Sequence, residues 1–97
     1  MVKDCMNYRK AFLMSYYSAC HEGLSLNGRV LNALKVGDVL FPVNHSHIME
    51  SHGLTIQKIS AYRHEFQEID EGMTCELIVH GKDLHFEKDC IFYCRKT

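Results

Sequence analysis

The side chains best suited to chemistry are concentrated in His45-Ser46-His47-Ile48-Met49-Glu50-Ser51-His52. Imidazoles and a carboxylate suit zinc, nickel or copper. Two histidines one residue apart share a face only if the backbone is extended. The run has no cysteine nearby and matches no established ligand spacing. It therefore predicts a solvated, mobile hairpin tip with His45, His47 and His52 exposed, and no metal or other cofactor; a metal-responsive module is the alternative. Cys20-His21-Glu22 places a nucleophile, a base and an acid side by side. Neighbours on a strand point to opposite faces, whereas nucleophilic catalysis needs all three groups in one site. The triplet does not predict an enzyme. The chain has five cysteines, Cys5, Cys20, Cys75, Cys90 and Cys94, and no Cys-x-x-Cys. An odd count without a secretory leader predicts reduced thiols. Cys90 and Cys94 flank Ile91-Phe92-Tyr93, where alternation puts both on one face as small core or rim residues.

Arg29, Lys35, Arg63, His64, His80 and Lys82 are the candidates for a polar or anion-contacting surface. For each the competing reading is an ordinary exposed cation. The charge balance limits their role: 11 Lys and Arg against 12 Asp and Glu give a net charge of -1. Autonomous binding to a polyanion is driven by counterion release and normally shows a basic excess. A protein partner is favoured, with RNA or the ribosome as the second choice. There is no Gly-x-x-x-x-Gly-Lys-Ser/Thr run, so this chain alone is not expected to bind GTP.

The elements that must position these residues are strands. The 97 residues, 46% hydrophobic and 24% charged, fit one soluble domain. At this length roughly 60–70% of the unfolded chain's surface can be buried. No apolar run approaches the ~20 residues that span a bilayer, and Met1-Val2-Lys3-Asp4-Cys5 is no signal-peptide core. The expectation is a cytoplasmic protein without membrane contact. Leu24, Leu26, Gly28 and Val30 alternate with polar residues, as do Val39, Phe41 and Val43, and Cys75, Leu77 and Val79. These predict one core of Leu26, Val30, Val39, Phe41, Ile56, Leu77, Val79 and either Phe92 or Ile91. From Leu54 to Tyr62 the phase slips at Lys58, which predicts a β-bulge there. Ala11 to Ser18 is compatible with helix or strand, and its aromatic content favours strand. Asn44 to Gly53 is read as a polar loop, and Arg63 to Glu71 has too little periodicity for a helix.

Gly23-Leu24-Ser25-Leu26-Asn27-Gly28-Arg29-Val30, followed by Leu34-Lys35-Val36-Gly37-Asp38-Val39-Leu40, reads as a tight hairpin. Together the two runs resemble the β-barrel that follows the GTPase domain in translation factors such as elongation factor Tu. The resemblance extends through Leu54-Thr55-Ile56-Gln57-Lys58-Ile59, Ile69-Asp70-Glu71-Gly72, Cys75-Glu76-Leu77-Ile78-Val79 and Gly81-Lys82-Asp83, covering Ala11 to Cys94. It departs where Glu87-Lys88-Asp89 lacks a closing glycine and where Ala33 stands at a common glycine position. The resemblance implies an all-β fold, a small closed antiparallel barrel of about six strands with Greek-key-like connections. Gly28 and Gly37 then fall at corners where a side chain would clash or force an unfavourable φ. Arg29 is the arginine of the Gly-Arg-Val run, where it could equally bridge strands at the barrel rim. The function implied is a free-standing, non-enzymatic binding or adaptor module. The alternatives are an RNA- or ribosome-associated translation module, or a metal-responsive one using the His45–His52 loop.

Overall fold

Period-two alternation becomes strand along most of the chain. The structure, a computed structural model, describes residues 7–44, 47–81, 86–87 and 89–95. Its strands are β1 (Tyr8–Cys20), β2 (Gly23–Val30), β3 (Leu34–Lys35), β4 (Val39–Leu40), β5 (Val43–Asn44), β6 (His47–Ile48), β7 (Leu54–Ala61), β8 (His64–Phe66), β9 (Glu68–Ile69), β10 (Thr74–His80) and β11 (Ile91–Arg95). The main sheet runs β11-β1-β2-β10-β7-β4, all antiparallel, with β8 added to β7. One bridge, Phe41 to Tyr93, links the two ends of this order. The sheet is thereby a nearly closed barrel of six strands. β4, β7 and β10 are neighbours in turn, and β2, which precedes them, lies beside β10; this is Greek-key order.

The interior holds Phe12, Met14, Leu26, Val30, Leu34, Leu40, Leu54, Ile56, Ile59, Leu77, Val79 and Phe92, each at most 2% exposed. Most of the predicted core is here, with Phe92 rather than half-buried Ile91 pointing inward. Two members are misplaced. Val39 is half-buried, and Phe41 joins Tyr8 and Tyr93 in a second apolar cluster, while Leu40 takes the interior position opposite Leu54. Both faces of β4 meet apolar residues, so alternation alone could not choose the phase.

The run from Gly23 to Leu40 is not a hairpin. β2 lies between β1 and β10, and β3 leaves it to pair with β9. Only the turn from Lys35 to Asp38 is local: Asp38 N–H donates to Lys35 O at 3.1 Å, and Asp38 Oδ2 accepts from Lys35 N–H at 2.9 Å. Gly37 has φ +99° there, a left-handed conformation that suits glycine. Gly28 serves the other purpose, because a Cβ would collide with the Leu13 carbonyl across the β1–β2 ladder. The slip at Lys58 is an irregularity in the β7–β10 register, where Ile78 faces Lys58 but Val79 faces Ile56. β1 is a strand, longer than predicted, with register shifts of its own.

The polar loop of the sequence reading contains β5 and β6, followed by a single 3-10 turn at Glu50–His52. Val43 and Ile48 pack against the second cluster, and Met49 N–H donates to Pro42 O at 2.9 Å. Two apolar anchors on a pre-existing cluster hold this hairpin, contrary to the expectation of an unanchored tip. Asp70-Glu71-Gly72 forms a turn after β9, and β8 and β9 replace the irregular stretch read from Arg63 to Glu71.

Candidate functional site

A groove of about 380 Å³ lies where the barrel seam opens between β4 and β11. That volume is within the range of small-ligand and side-chain pockets. Arg9, Lys35 and Arg95 line it together with Asp38, Glu68, Ala33, Leu34, Gly37, Val39, Phe41 and Cys94. Leu34, Phe41 and Cys94 are buried and form its floor, whereas Arg9, Lys35, Arg95 and Glu68 are exposed at its edges.

Each cation is placed by a different element of the fold. Arg9 is on β1 opposite Cys94, one residue from the Tyr8–Arg95 pair. Lys35 is on β3 directly opposite Glu68 on β9, its backbone fixed by the Asp38 carboxylate. Arg95 closes β11 and lies over the Phe41 ring, 5.3 Å from its centroid. Its Nη2 is 4.0 Å from Glu50 Oε2, and the other oxygen of Glu50 accepts from the Tyr8 hydroxyl. Tyr8 packs edge-on against Phe41, with centroids 5.8 Å apart at 83°. The guanidinium is thus held by a ring below and a carboxylate beside it, and Tyr8 followed by Glu50 raises its pKa further.

The groove's thiol is inert. Cys94 Sγ donates to Val39 O at 3.2 Å. Burial, then the Asp38 carboxylate, pushes its pKa up to about 12, with Arg9 opposing. A protonated thiol is a poor nucleophile. What the site offers is a ring of mixed charge, Arg9, Lys35 and Arg95 with Asp38, Glu68 and the nearby Glu50, around a buried floor.

Of the predicted residues, only Lys35 lies in this groove. Arg29 is exposed on β2 between Leu13 and Thr74, and His80 is on the same sheet face at the far end of β10. Six residues of strand separate His80 from Thr74, about 20 Å at the usual rise. His80 Nε2 is 2.7 Å from Glu22 O. Arg63 is in the β7–β8 turn and exposed His64 begins β8. Lys82 lies outside the described residues. The five described candidates therefore form no single site. Arg9, Tyr8, Glu50 and Arg95 were missed because they come from both ends of the chain and from the 3-10 turn; no local motif joins them.

The other chemical candidates are also dispersed. His47 is exposed, His52 is half-buried with Nδ1 3.0 Å from Ser51 Oγ, and His45 lies outside the described residues. Among the described residues no group of three or more His, Cys, Asp or Glu is placed to hold a metal ion. Cys20 is exposed at the end of β1, while Glu22 Oε2 is 4.0 Å from Lys58 Nζ. Among the described residues no helix is long and apolar enough to cross a membrane. Comparison with known protein families and with curated proteins finds no match for the chain.

Proposed function

We propose that this chain is a non-enzymatic, cytoplasmic binding or adaptor module, similar to the translation-factor barrel, that engages a protein partner. The observation that carries this reading is the groove at the open seam, where Arg9, Lys35 and Arg95 surround a buried floor of Leu34, Phe41 and Cys94. Such a surface binds by charge and shape and needs no reaction. Near-neutral net charge argues for a discrete partner rather than a polyanion.

A second reading, an RNA- or ribosome-associated module, draws on a separate observation. Among the described residues Tyr16 on β1 and Tyr62 in the β7–β8 turn are the exposed large hydrophobics, at 62% and 72%, and Arg29 is exposed on β2, the strand beside β1. Exposed aromatics beside cations can stack bases. Affinity capture from native lysate, with and without ribonuclease, separates the two. A ribonuclease-resistant partner that is lost when Arg9 and Lys35 are both changed to Glu supports the adaptor. Ribosomal proteins lost on ribonuclease treatment, and retained by the groove variant, would overturn it.

A further inference from the structure

We infer that the groove receives the β7–β8 hairpin tip of a second copy of this chain, with the Tyr62 ring on the groove's floor and the Arg63 guanidinium against Asp38 and Glu68. This rests on the binding-module reading and names the partner. The first support is the tip. Ala61 and His64 are paired, so Tyr62 and Arg63 alone make the turn between two strands. Both have left-handed backbone, at φ +52° and +65°, where asparagine and glycine fit without strain. Tyr62 is 72% exposed, and Arg63 is exposed as well. Among the described residues neither side chain makes a hydrogen bond, an ion pair or a ring contact. No polar or aromatic contact of these side chains therefore offsets the strained turn. Strain of this kind is characteristic of binding and switch segments. Tyrosine and arginine are also among the side chains that most often carry an interface.

The second support is the groove. Its floor of Leu34, Phe41 and Cys94 is buried, and its rim has both signs of charge. Its volume is about 380 Å³, and a cavity of about 150 Å³ is enough for a benzene ring. Phe41 offers an inserted ring an aromatic neighbour. Glu68 makes no ion pair among the described residues, and Asp38 uses one oxygen on the Lys35 N–H. Arg9 makes no ion pair either. A cation at the rim can lie over a tyrosine face or donate to its hydroxyl. A rim of mixed charge thus suits an occupant that is aromatic and cationic at once, and such a tip is already present on this chain.

The third support is placement. The tip supplies no residue to the groove's lining. The contact is therefore heterologous: each copy offers one tip and one groove. A two-residue turn between paired strands presents its ring with little freedom left to lose. One hairpin tip in one groove is a small interface, so the association is weak.

The test uses the full chain in sedimentation velocity, from about 10 μM to about 1 mM, the range that small interfaces occupy. The parent should sediment faster as its concentration rises. Y62N/R63G removes the tip and supplies the turn residues that its backbone prefers. E68R keeps the tip and reverses the groove's free carboxylate. Each variant should self-associate at least about tenfold more weakly than the parent. Each should still melt as one cooperative unit, since all three side chains are exposed. Mixed one to one, the two variants should form a heterodimer and nothing larger, because one supplies the only intact groove and the other the only intact tip. A parent that stays monomeric at the upper concentration, a variant that associates as tightly as the parent, or a mixture that forms no heterodimer would each overturn the inference. So would a uridine hexamer that shifts the Tyr62 and Arg63 amide resonances of a monomeric parent, which would assign the tip to nucleic acid. If the parent is monomeric while the ribonuclease-resistant partner still depends on Arg9 and Lys35, the groove serves a foreign protein: the adaptor reading stands and self-docking falls.

Discussion

At the scale of single residues, three non-glycine positions among the described residues have left-handed backbone, Tyr62, Arg63 and Asp89, and aspartate is the one that tolerates it. Tyr62 and Arg63 have φ +52° and +65° in the two-residue turn between β7 and β8. Turns of this kind favour Asn-Gly, because both central residues adopt left-handed backbone. Y62N/R63G should therefore raise stability by about 1 kcal/mol, read as a higher urea midpoint with an unchanged slope. A midpoint at or below that of the parent would show that Tyr62 or Arg63 contributes contacts worth more than the strain. The cysteines make a second prediction. Burial pushes Cys75 up to about 11 and Cys94 up to about 12, from 9.0. Between about pH 9 and 12 the unfolded chain has released protons that the folded chain retains, so stability falls as pH rises through that window. The fall should be shallower in C75A than in the parent by urea denaturation at pH 8 and pH 10.5. In the folded protein a thiol reagent at pH 8 should label exposed Cys20 first, with Cys75 and Cys94 reacting only on unfolding.

At the scale of elements, the sequence was legible where one face of a strand is apolar and the other is not. β2 and β7 follow their alternation, and the slip at Lys58 marked a real irregularity. β4 was not legible, because Val39 and Phe41 face one apolar cluster and Leu40 another. The hairpin partner of β2 was misread for a related reason: strand pairing across a barrel is set by closure, and a local turn at Lys35–Asp38 cannot reveal it. The groove was least legible of all, since only Lys35 of its three cations belonged to a recognisable run. The β5–β6 hairpin shows how little apolar area an element needs once a cluster exists to receive it. I48S should release that hairpin and expose the Tyr8–Phe41–Tyr93 cluster while leaving the interior core intact. Hydrogen exchange should then accelerate at the Phe41 amide, which donates to Tyr93 O, and stay unchanged at Leu77. Equal acceleration at both would mean that the second cluster belongs to one cooperative core.

At the scale of the whole molecule, the barrel is uneven around its circumference. The β1–β2 ladder has eight pairs with one register shift, and the β2–β10 ladder six without a break, whereas β4 and β11 are joined by the single bridge of Phe41 and Tyr93. The seam should be the first place to open. Native-state exchange of the Phe41 and Tyr93 amides should exceed that of Leu26 and Leu77 in the parent protein, at denaturant concentrations well below the global transition. Protection of all four at the global limit would show that the barrel opens only as a unit.

The first and last strands of the barrel are neighbours, and Tyr8 stands directly opposite Arg95. Opposite residues in an antiparallel pair are about 5 Å apart. Force applied at those two points loads the β1–β11 ladder end-on, so its bonds break singly and in sequence, as in a zipper. Handles on Leu13 and Arg95 would load the same ladder along its length, because those residues lie at its opposite ends. In optical-tweezer pulling the first geometry should yield at a clearly lower force than the second. Equal forces would place the mechanical resistance elsewhere in the barrel.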